Sequence, residues 1–383
     1  MEKEITEVMD KISLKGKRIL VTGAAGFIGA NLVLRLLRDG EAGRIVGIDN
    51  LNDYYDPAIK DWRLSQIGEA AERAKENGQT KWNFVKGDIA DAETIRGLFD
   101  EERPEIVVNL AAQAGVRYSI TNPDAYIQSN LIGFYNILEA CRHSYDAARE
   151  GGPETEREYL GVQHLVYASS SSVYGTNRKV PFSTEDKVDD PVSLYAATKK
   201  SNELMAHAYS KLYNIPSTGL RFFTVYGPAG RPDMAYFGFT DKLRAGKTIR
   251  IFNYGNCSRD FTYVDDIVEG IVRVMQGAPE KRSGEDGLPL PPYAVYNIGG
   301  GRPVNLLDFV TILQEELVRA EVLPKDYDFE AHKELVPMQP GDVPVTYADT
   351  QALERDYGYR PGIDLRTGLR SFAEWYRGFY LTK

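Results

Sequence analysis

Cysteine is nearly absent from this 383-residue chain: there are two, Cys141 and Cys257. Two thiols build no disulfide framework, and a reduced, cytoplasmic setting is expected. Histidine is as scarce, at four scattered positions without metal-ligand spacing, so no metal site is expected. No apolar run approaches the roughly 18 residues of a membrane span. The opening MEKEITEVMDK is acidic and lacks an apolar centre, which argues against a secretory signal. Positive charge is in deficit: 46 Lys and Arg against 55 Asp and Glu leave −9. That balance disfavours nucleic acid or an anionic membrane as partner. Any anionic substrate is left to a few local arginines.

What the chain does have is glycine at the right places. Lys17 to Gly29, KRILVTGAAGFIG, reads as a buried strand, a turn with Gly23, Gly26 and Gly29, and a helix from about Phe27. Gly23 permits a tight exit from the strand. Gly26 has no Cβ to hold a pyrophosphate off the backbone, and Gly29 lets the helix pack closely. The helix aims free N–H groups and its positive dipole end at the phosphates. A second strand, Arg44 to Ile48, ends in Asp49, about 20 residues past the last glycine, where a carboxylate binds the adenosine ribose. A carboxylate there favours NAD over NADP, because it repels a 2′-phosphate.

Further strands are expected at Trp82 to Lys86, Ile106 to Leu110 and His164 to Ala168, alternating with helices. This is the pattern of an α/β, Rossmann-type doubly wound parallel sheet, with ligands beyond the carboxyl ends of its strands. Asp88 follows the third strand and suits either a cofactor contact or a helix N-cap. The fourth strand runs into AAQAG, and Asn130 opens a helix. Residues 144–162 read as a polar surface insertion. The fifth strand ends in Ser169 to Ser172, four hydroxyls expected to face a pocket. Residues 1–15 carry Ile5, Val8, Met9 and Ile12 at helical spacing. Residues 277–292 read as a Gly/Pro-rich loop.

Tyr195 and Lys199 are four apart, hence on one helix face. A phenol titrates near ~10 and is a poor base at neutral pH. A neighbouring ammonium, or an oxidised nicotinamide, lowers that value. The pair is thus expected to take a proton from a sugar hydroxyl while hydride leaves the same carbon.

With these residues in hand, the chain resembles the extended short-chain dehydrogenase/reductases, the nucleotide-sugar epimerase and dehydratase group. The matching stretches are Gly23–Gly29, Asp49, Asp88, Asn109–Ala112, Asn130, Ser169–Gly175, Tyr195–Lys199, Leu220–Pro228, Arg259–Asp266 and Pro340–Asp349. Within that group it is most similar to UDP-glucuronate 4-epimerases, through GIDNLNDYYD, QAGVRYSITNP, ASSSSVYG, LRFFTVYGP, RPDMA, SRDFTYVDDIVEG and MQPGDVPVTYAD. The resemblance implies catalysis by Tyr195, Lys199 and Ser170, the last lying four residues before Tyr174. It implies NAD held by Gly23, Gly26, Phe27, Ile28, Gly29, Asp49, Asn50, Asp88, Ile89, Leu110, Ala111, Ala112, Asn130, Tyr195 and Lys199. It implies a UDP-sugar held by Arg117, Ser171, Ser172, Thr224, Arg231, Phe252, Arg259 and Asp342. Among these, Arg231 would pair with the sugar's carboxylate, Phe252 would stack on uracil, Arg259 would hold the diphosphate and Asp342 the ribose. Ser172 stands where dehydratases carry an acid, and Gln339 where galactose epimerases often carry arginine.

The expected activity is interconversion of UDP-glucuronate and UDP-galacturonate through a 4-keto sugar. A UDP-glucuronate decarboxylase and a 4-epimerase of neutral UDP-hexoses stand as alternatives. The expected division is an N-terminal helix over 1–15, an NAD-binding domain over 16–224 and a smaller α/β nucleotide-sugar domain over 225–383. Residues 258–276 are expected to return to the first domain. The family's mode of pairing implies a homodimer through helices Asn130–His143 and Tyr195–Tyr213, with Ala196, Ala197, Leu204, Ala208 and Leu212 as an apolar stripe.

Overall fold

Seven strands form the central sheet: Arg18–Thr22 (β1), Arg44–Asp49 (β2), Lys81–Lys86 (β3), Ile106–Asn109 (β4), His164–Ser170 (β5), Ser217–Phe222 (β6) and Tyr293–Ile298 (β7). The computed structural model describes residues 9–76, 80–150, 159–284, 286–338 and 344–382. All neighbouring strands are parallel, in the order β7-β6-β5-β4-β1-β2-β3. Alternation along each strand feeds two cores. Ile19, Val21, Ile45, Ile106 and Val108 enter one; Leu20, Val46, Val107 and Leu165 enter the other. The first core is closed by helices Phe27–Asp39 and Val264–Met275, the second by Ala92–Glu102 and Gly133–Glu150.

Helix Phe27–Asp39 buries Leu32, Val33, Leu36 and Leu37, and stops at Gly40, whose φ of 67° is left-handed. Helix Val264–Met275 lies beside it, joined by Arg35 Nη1 to Glu269 at 2.7 Å. The second half of the chain therefore packs back on the first.

Beyond β6 the chain breaks at Phe223, and Thr224–Tyr226 pairs with Phe261, Thr262 and Tyr263 instead. The strand Ser258–Tyr263 also takes Pro303–Asn305 and Val345–Thr346 as partners. Helix Leu306–Arg319 is capped by Asn305, which accepts from Leu307 N at 2.8 Å. It packs on Leu365–Leu381, where Arg366 and Arg370 both reach the buried Glu316 at 3.1 Å.

Four sequence expectations change. Met9–Lys11 is a strand, paired antiparallel with Gly277–Pro279, so the helical spacing of Met9 and Ile12 does not produce a helix there. Ile5 and Val8 lie outside the described residues. The same pairing shows that 277–279 is a buried strand and not loop; a small hairpin, Arg282–Ser283 with Pro289–Leu290, follows. The helix expected from Asn130 to His143 begins as a π-helical turn, Ile127–Ile132, and continues to Glu150, across the start of the expected insertion. The sheet gains its edge strand β7 from a stretch assigned to the second domain. Tyr293–Ile298 is too short and too isolated in sequence for its partner to be read locally; pairing with β6 decides it.

Candidate active site

The strand order reverses between β1 and β4, where a doubly wound sheet opens a crevice. Thr22 and Asn109 end these two strands, and Thr22 Oγ1 donates to Asn109 Oδ1 at 2.7 Å. The same hydroxyl accepts from Ala111 N at 3.0 Å, fixing the loop Leu110–Ala112 across the turn. The turn itself has no room for side chains. Gly23 has φ +69°, and a Cβ on it would lie 2.8 Å from Ala111 N. A Cβ on Gly26 would lie 2.9 Å, and one on Gly29 2.2 Å, from the carbonyl oxygen of Gly23. Gly26 caps the following helix without a side chain, so the N–H groups of Phe27 and Ile28 face outward as donors. Phe27 itself is buried in the core.

Asp49 is buried beside this turn. Its Oδ2 accepts from Ala25 N at 3.1 Å and its Oδ1 from Leu51 N at 2.9 Å. Asn50 donates to Asp88 Oδ2 at 2.9 Å. Asp88 is not the N-cap of the next helix: Asp91 does that work, accepting from Glu93 N and Thr94 N. Ile89 is a core residue that packs where Gly133 leaves space. Asn130 is also buried, and both donors of its amide and one acceptor site are engaged with protein. It accepts from Gln113 N at 2.8 Å and donates to Gln113 O and Thr198 Oγ1, both at 3.0 Å. Its side chain holds the AAQ loop against helix Leu194–Tyr213, with both of its N–H groups used in doing so.

That helix carries Tyr195 and Lys199. Ser193 caps it, accepting from Ala196 N at 3.1 Å. The Tyr195 phenol lies near the Ser170 hydroxyl, which acts to lower its pKa and itself accepts from Ser172 N at 3.1 Å. Tyr126 meets Tyr195 edge-on, with ring centroids 6.0 Å apart, and its hydroxyl is tied to the carbonyls of Ala114 and Gly115.

Burial raises the phenol's pKa; Ser170 and the positive charge of Arg231 pull it down, and Asp233 pushes it up. The cation expected to act on it was Lys199. Instead Lys199 donates to the Ala168 carbonyl at 2.9 Å, with its own pKa lowered to about 8 by burial. The charges that act on Tyr195 are those of Arg231 and Asp233, which sequence spacing could not show.

The four serines also part company. Strand alternation turns Ser169 the other way, and its hydroxyl donates to Glu203 at 2.7 Å, within the buried Glu203–Arg221 pair. Ser170, Ser171 and Ser172 remain on the crevice side, the last two half-buried in the turn Ser171–Tyr174. Thr224 is half-buried at the start of its short strand. Arg231 is a quarter exposed, and one edge of its guanidinium is taken by Asp233, with Nε to Oδ1 at 3.0 Å and Nη2 to Oδ2 at 2.6 Å.

Farther out, Phe252 is half-buried and belongs to neither large core, with Arg250 5.7 Å from its ring. Arg259 donates to the carbonyls of Ser258 and Pro344 at 3.0 and 3.1 Å. Arg117 is exposed at the head of Tyr118–Thr121. Asp342 and Gln339 lie outside the described residues.

A family model described as the NAD dependent epimerase/dehydratase family matches residues 19–299. The chain belongs to that family. The glycine cradle, the buried Asp49 and the uncapped first turn all fit the dinucleotide that the family's description requires. Among curated relatives of this epimerase/dehydratase, Protein CapI of Staphylococcus aureus is 48% identical over 369 residues, covering 95% of this chain and 99% of that one. UDP-glucuronate 4-epimerase 4 of Arabidopsis thaliana is 44% identical over 371 residues, covering 95% and 76%. The solved UDP-glucuronic acid 4-epimerase of Bacillus cereus, in complex with UDP-glucuronic acid and NAD, matches with a TM-score of 0.74 at 29% identity, covering 94% and 99%.

Sequence reasoning missed three residues at this family site. Arg63 is buried behind the glycine turn and donates to Ala25 O, Ala229 O and the Tyr55 hydroxyl. Asp233 and Tyr54 surround Arg231. Tyr54 and Asp233 sit inside NDYYD and RPDMA, two stretches that carried the resemblance, and that was their one available signal.

Proposed function

We propose that this epimerase/dehydratase interconverts UDP-glucuronate and UDP-galacturonate. The arrangement that carries the reading is a phenol, Tyr195, beside Ser170 and near enough to Arg231, a cation set in place by Asp233, for that charge to act on it. A neutral hexose has no use for that cation, whereas a sugar acid does. The names of the Arabidopsis relatives and the sugar bound to the Bacillus cereus enzyme support it.

The diphosphate of NAD would rest on Gly23, Gly26 and the N–H groups of Phe27 and Ile28. Asp49 would take the ribose, Asn50 and Asp88 the adenine side, and Leu110–Ala112 and Lys199 the nicotinamide end. When bound, NAD supplies the acceptor and donor of hydride for the sugar's C4. Tyr195, beside Ser170, takes the O4 proton and later returns it. Arg231 holds the carboxylate, with Thr224, Ser171 and Ser172 lining its approach. Phe252, Arg259, Arg117 and Asp342 would serve the uridine diphosphate. Residues 16–224 would then bind NAD and 225–383 the nucleotide sugar.

We also assign the active unit to a homodimer. Leu204, Ala208 and Leu212 form an exposed stripe on helix Leu194–Tyr213, with Ile132 and Tyr135 exposed on its neighbour. Ala196 is not part of the stripe, being fully buried. Two buried free thiols and the absence, among the described residues, of a helix able to cross a membrane accord with a cytoplasmic enzyme.

The test is incubation with UDP-glucuronate without added NAD, followed by identification of the product. UDP-galacturonate is expected. Carbon dioxide with a UDP-pentose, or conversion of UDP-glucose alone, would overturn the reading.

A further inference from the structure

Asp233 takes only one edge of the Arg231 guanidinium. It accepts from Nε at 3.0 Å and from Nη2 at 2.6 Å, which is the side edge. Among the described residues no second carboxylate meets the guanidinium, so the end edge at Nη1 is left without an anion. A planar guanidinium can hold two carboxylates at once, one on each edge.

Asp233 is itself held. The Tyr54 hydroxyl donates to its Oδ2 at 3.2 Å. The Tyr54 ring packs on Tyr118 with centroids 4.7 Å apart. Gly115 closes the group: a Cβ there would lie 2.6 Å from the Tyr54 oxygen and 3.6 Å from Arg231 Nη2. Two loops distant in sequence thus meet over a glycine to set the plane of one guanidinium.

That plane matters to a sugar acid. Once C4 is a ketone, the carboxylate is β to a carbonyl. If C5–C6 aligns with the carbonyl π system, that bond can break. Its electron pair then enters the C4 carbonyl as an enolate, C5 takes a proton from water, and carbon dioxide leaves. Holding C6 near the plane of the carbonyl prevents this. A cation free to swing on its side-chain torsions does not hold C6 anywhere in particular.

We infer that Asp233, steadied by Tyr54, is the positioning residue that presents the end edge of Arg231 to the sugar's carboxylate and so protects the 4-keto sugar from decarboxylation. The inference rests on the uronate reading above. Asp233 acts through Arg231 and touches no reacting atom.

The experiment measures carbon dioxide per turnover from carboxyl-labelled UDP-glucuronate, beside the yield of UDP-galacturonate. Asp233→Ala should raise the ratio of carbon dioxide to epimer at least tenfold over wild type. Asp233→Asn, which keeps one acceptor for Nε, should restore part of the fidelity. Tyr54→Phe should raise the ratio by a smaller factor. The double variant Asp233→Ala/Arg231→Ala should partition like Arg231→Ala alone, since the two residues act as one unit. A merely structural Asp233 would lower turnover and leave the ratio untouched; that result, in Asp233→Ala or, if it does not fold, in both milder variants, overturns the inference. Wild-type protein that makes no UDP-galacturonate overturns the uronate reading instead, and this inference falls with it.

Discussion

The guanidinium of Arg63 donates to the carbonyl of Ala25, inside the glycine turn, at 2.9 Å. Its Nε donates to Ala229 O at 3.0 Å and Nη2 to Gly230 O at 3.2 Å, in the residues just before Arg231. A buried cation from helix Pro57–Glu76 thus ties the glycine turn to the loop bearing Arg231. Replacing it with Met leaves buried carbonyls without donors, a loss of about 2–3 kcal/mol. Arg63→Met should lower the midpoint of thermal unfolding, lose NAD on gel filtration and raise the KM for UDP-glucuronate together. Arg63→Lys, with one donor head in place of a fork, should recover little of either binding.

Gly29 tests the turn directly. A Cβ there would sit 2.2 Å from Gly23 O and 3.2 Å from Ala24 Cα, both backbone atoms that cannot swing aside. Gly29→Ala should destabilise the protein by about 1–3 kcal/mol and strip it of NAD. Gly68, mid-helix with nothing within 4 Å of its would-be Cβ, is the control. Gly68→Ala should gain up to about 1 kcal/mol in urea unfolding and keep its cofactor.

Lys199 is held folded with a pKa of about 8, depressed by burial from 10.5. The folded state binds fewer protons than the unfolded state between these values. Stability from this group therefore rises as pH climbs from 8 to 10.5, and the full penalty stands below pH 8. Lys199→Met should raise the stability of NAD-free protein at pH 7 by about 2 kcal/mol, after allowing for the lost bond to Ala168 O. It should also flatten the pH dependence above 8 and abolish epimerisation. Urea titrations at pH 7 and 10 check the first two outcomes.

His164, fully buried in β5 against Thr218 Oγ1 at 2.8 Å, has its pKa lowered by burial to about 4. Its neutral form is the folded one, so its stabilisation is present above pH 6.5 and is lost as the pH falls through 4. The loss approaches about 3 kcal/mol. His164→Gln should flatten the acid limb of a stability–pH curve between 6.5 and 4 without changing the limb above 7.

Local patterns reached far into this molecule. Strand, turn and helix over 18–39 announce themselves in sequence because each follows from nearest neighbours: buried β-branched residues, glycines, an amphipathic repeat. The Rossmann-type sheet follows once the strands alternate with helices. Capping was legible only to within a few residues: Asp91 and not Asp88 closes Ala92–Glu102. Where a residue's partner comes from far away, local reading went astray. Met9–Lys11 is a strand only because Gly277–Pro279 lies alongside it. Ser169 adjoins Ser170 in sequence, yet the pleat sends its hydroxyl to Glu203.

By itself the sequence determined the kinds of groups that meet here: a phenol, an ammonium, a glycine turn, a carboxylate past the second strand and one arginine suited to an acid. Which of them act on one another was decided by the tertiary structure. Helical spacing put Tyr195 and Lys199 on one face, but the strand-end carbonyl of Ala168 holds the ammonium, and the charge pulling the phenol's pKa down comes from Arg231, on a loop beyond β6. Electrostatic interaction depends on distance through space, and sequence records only separation along the chain.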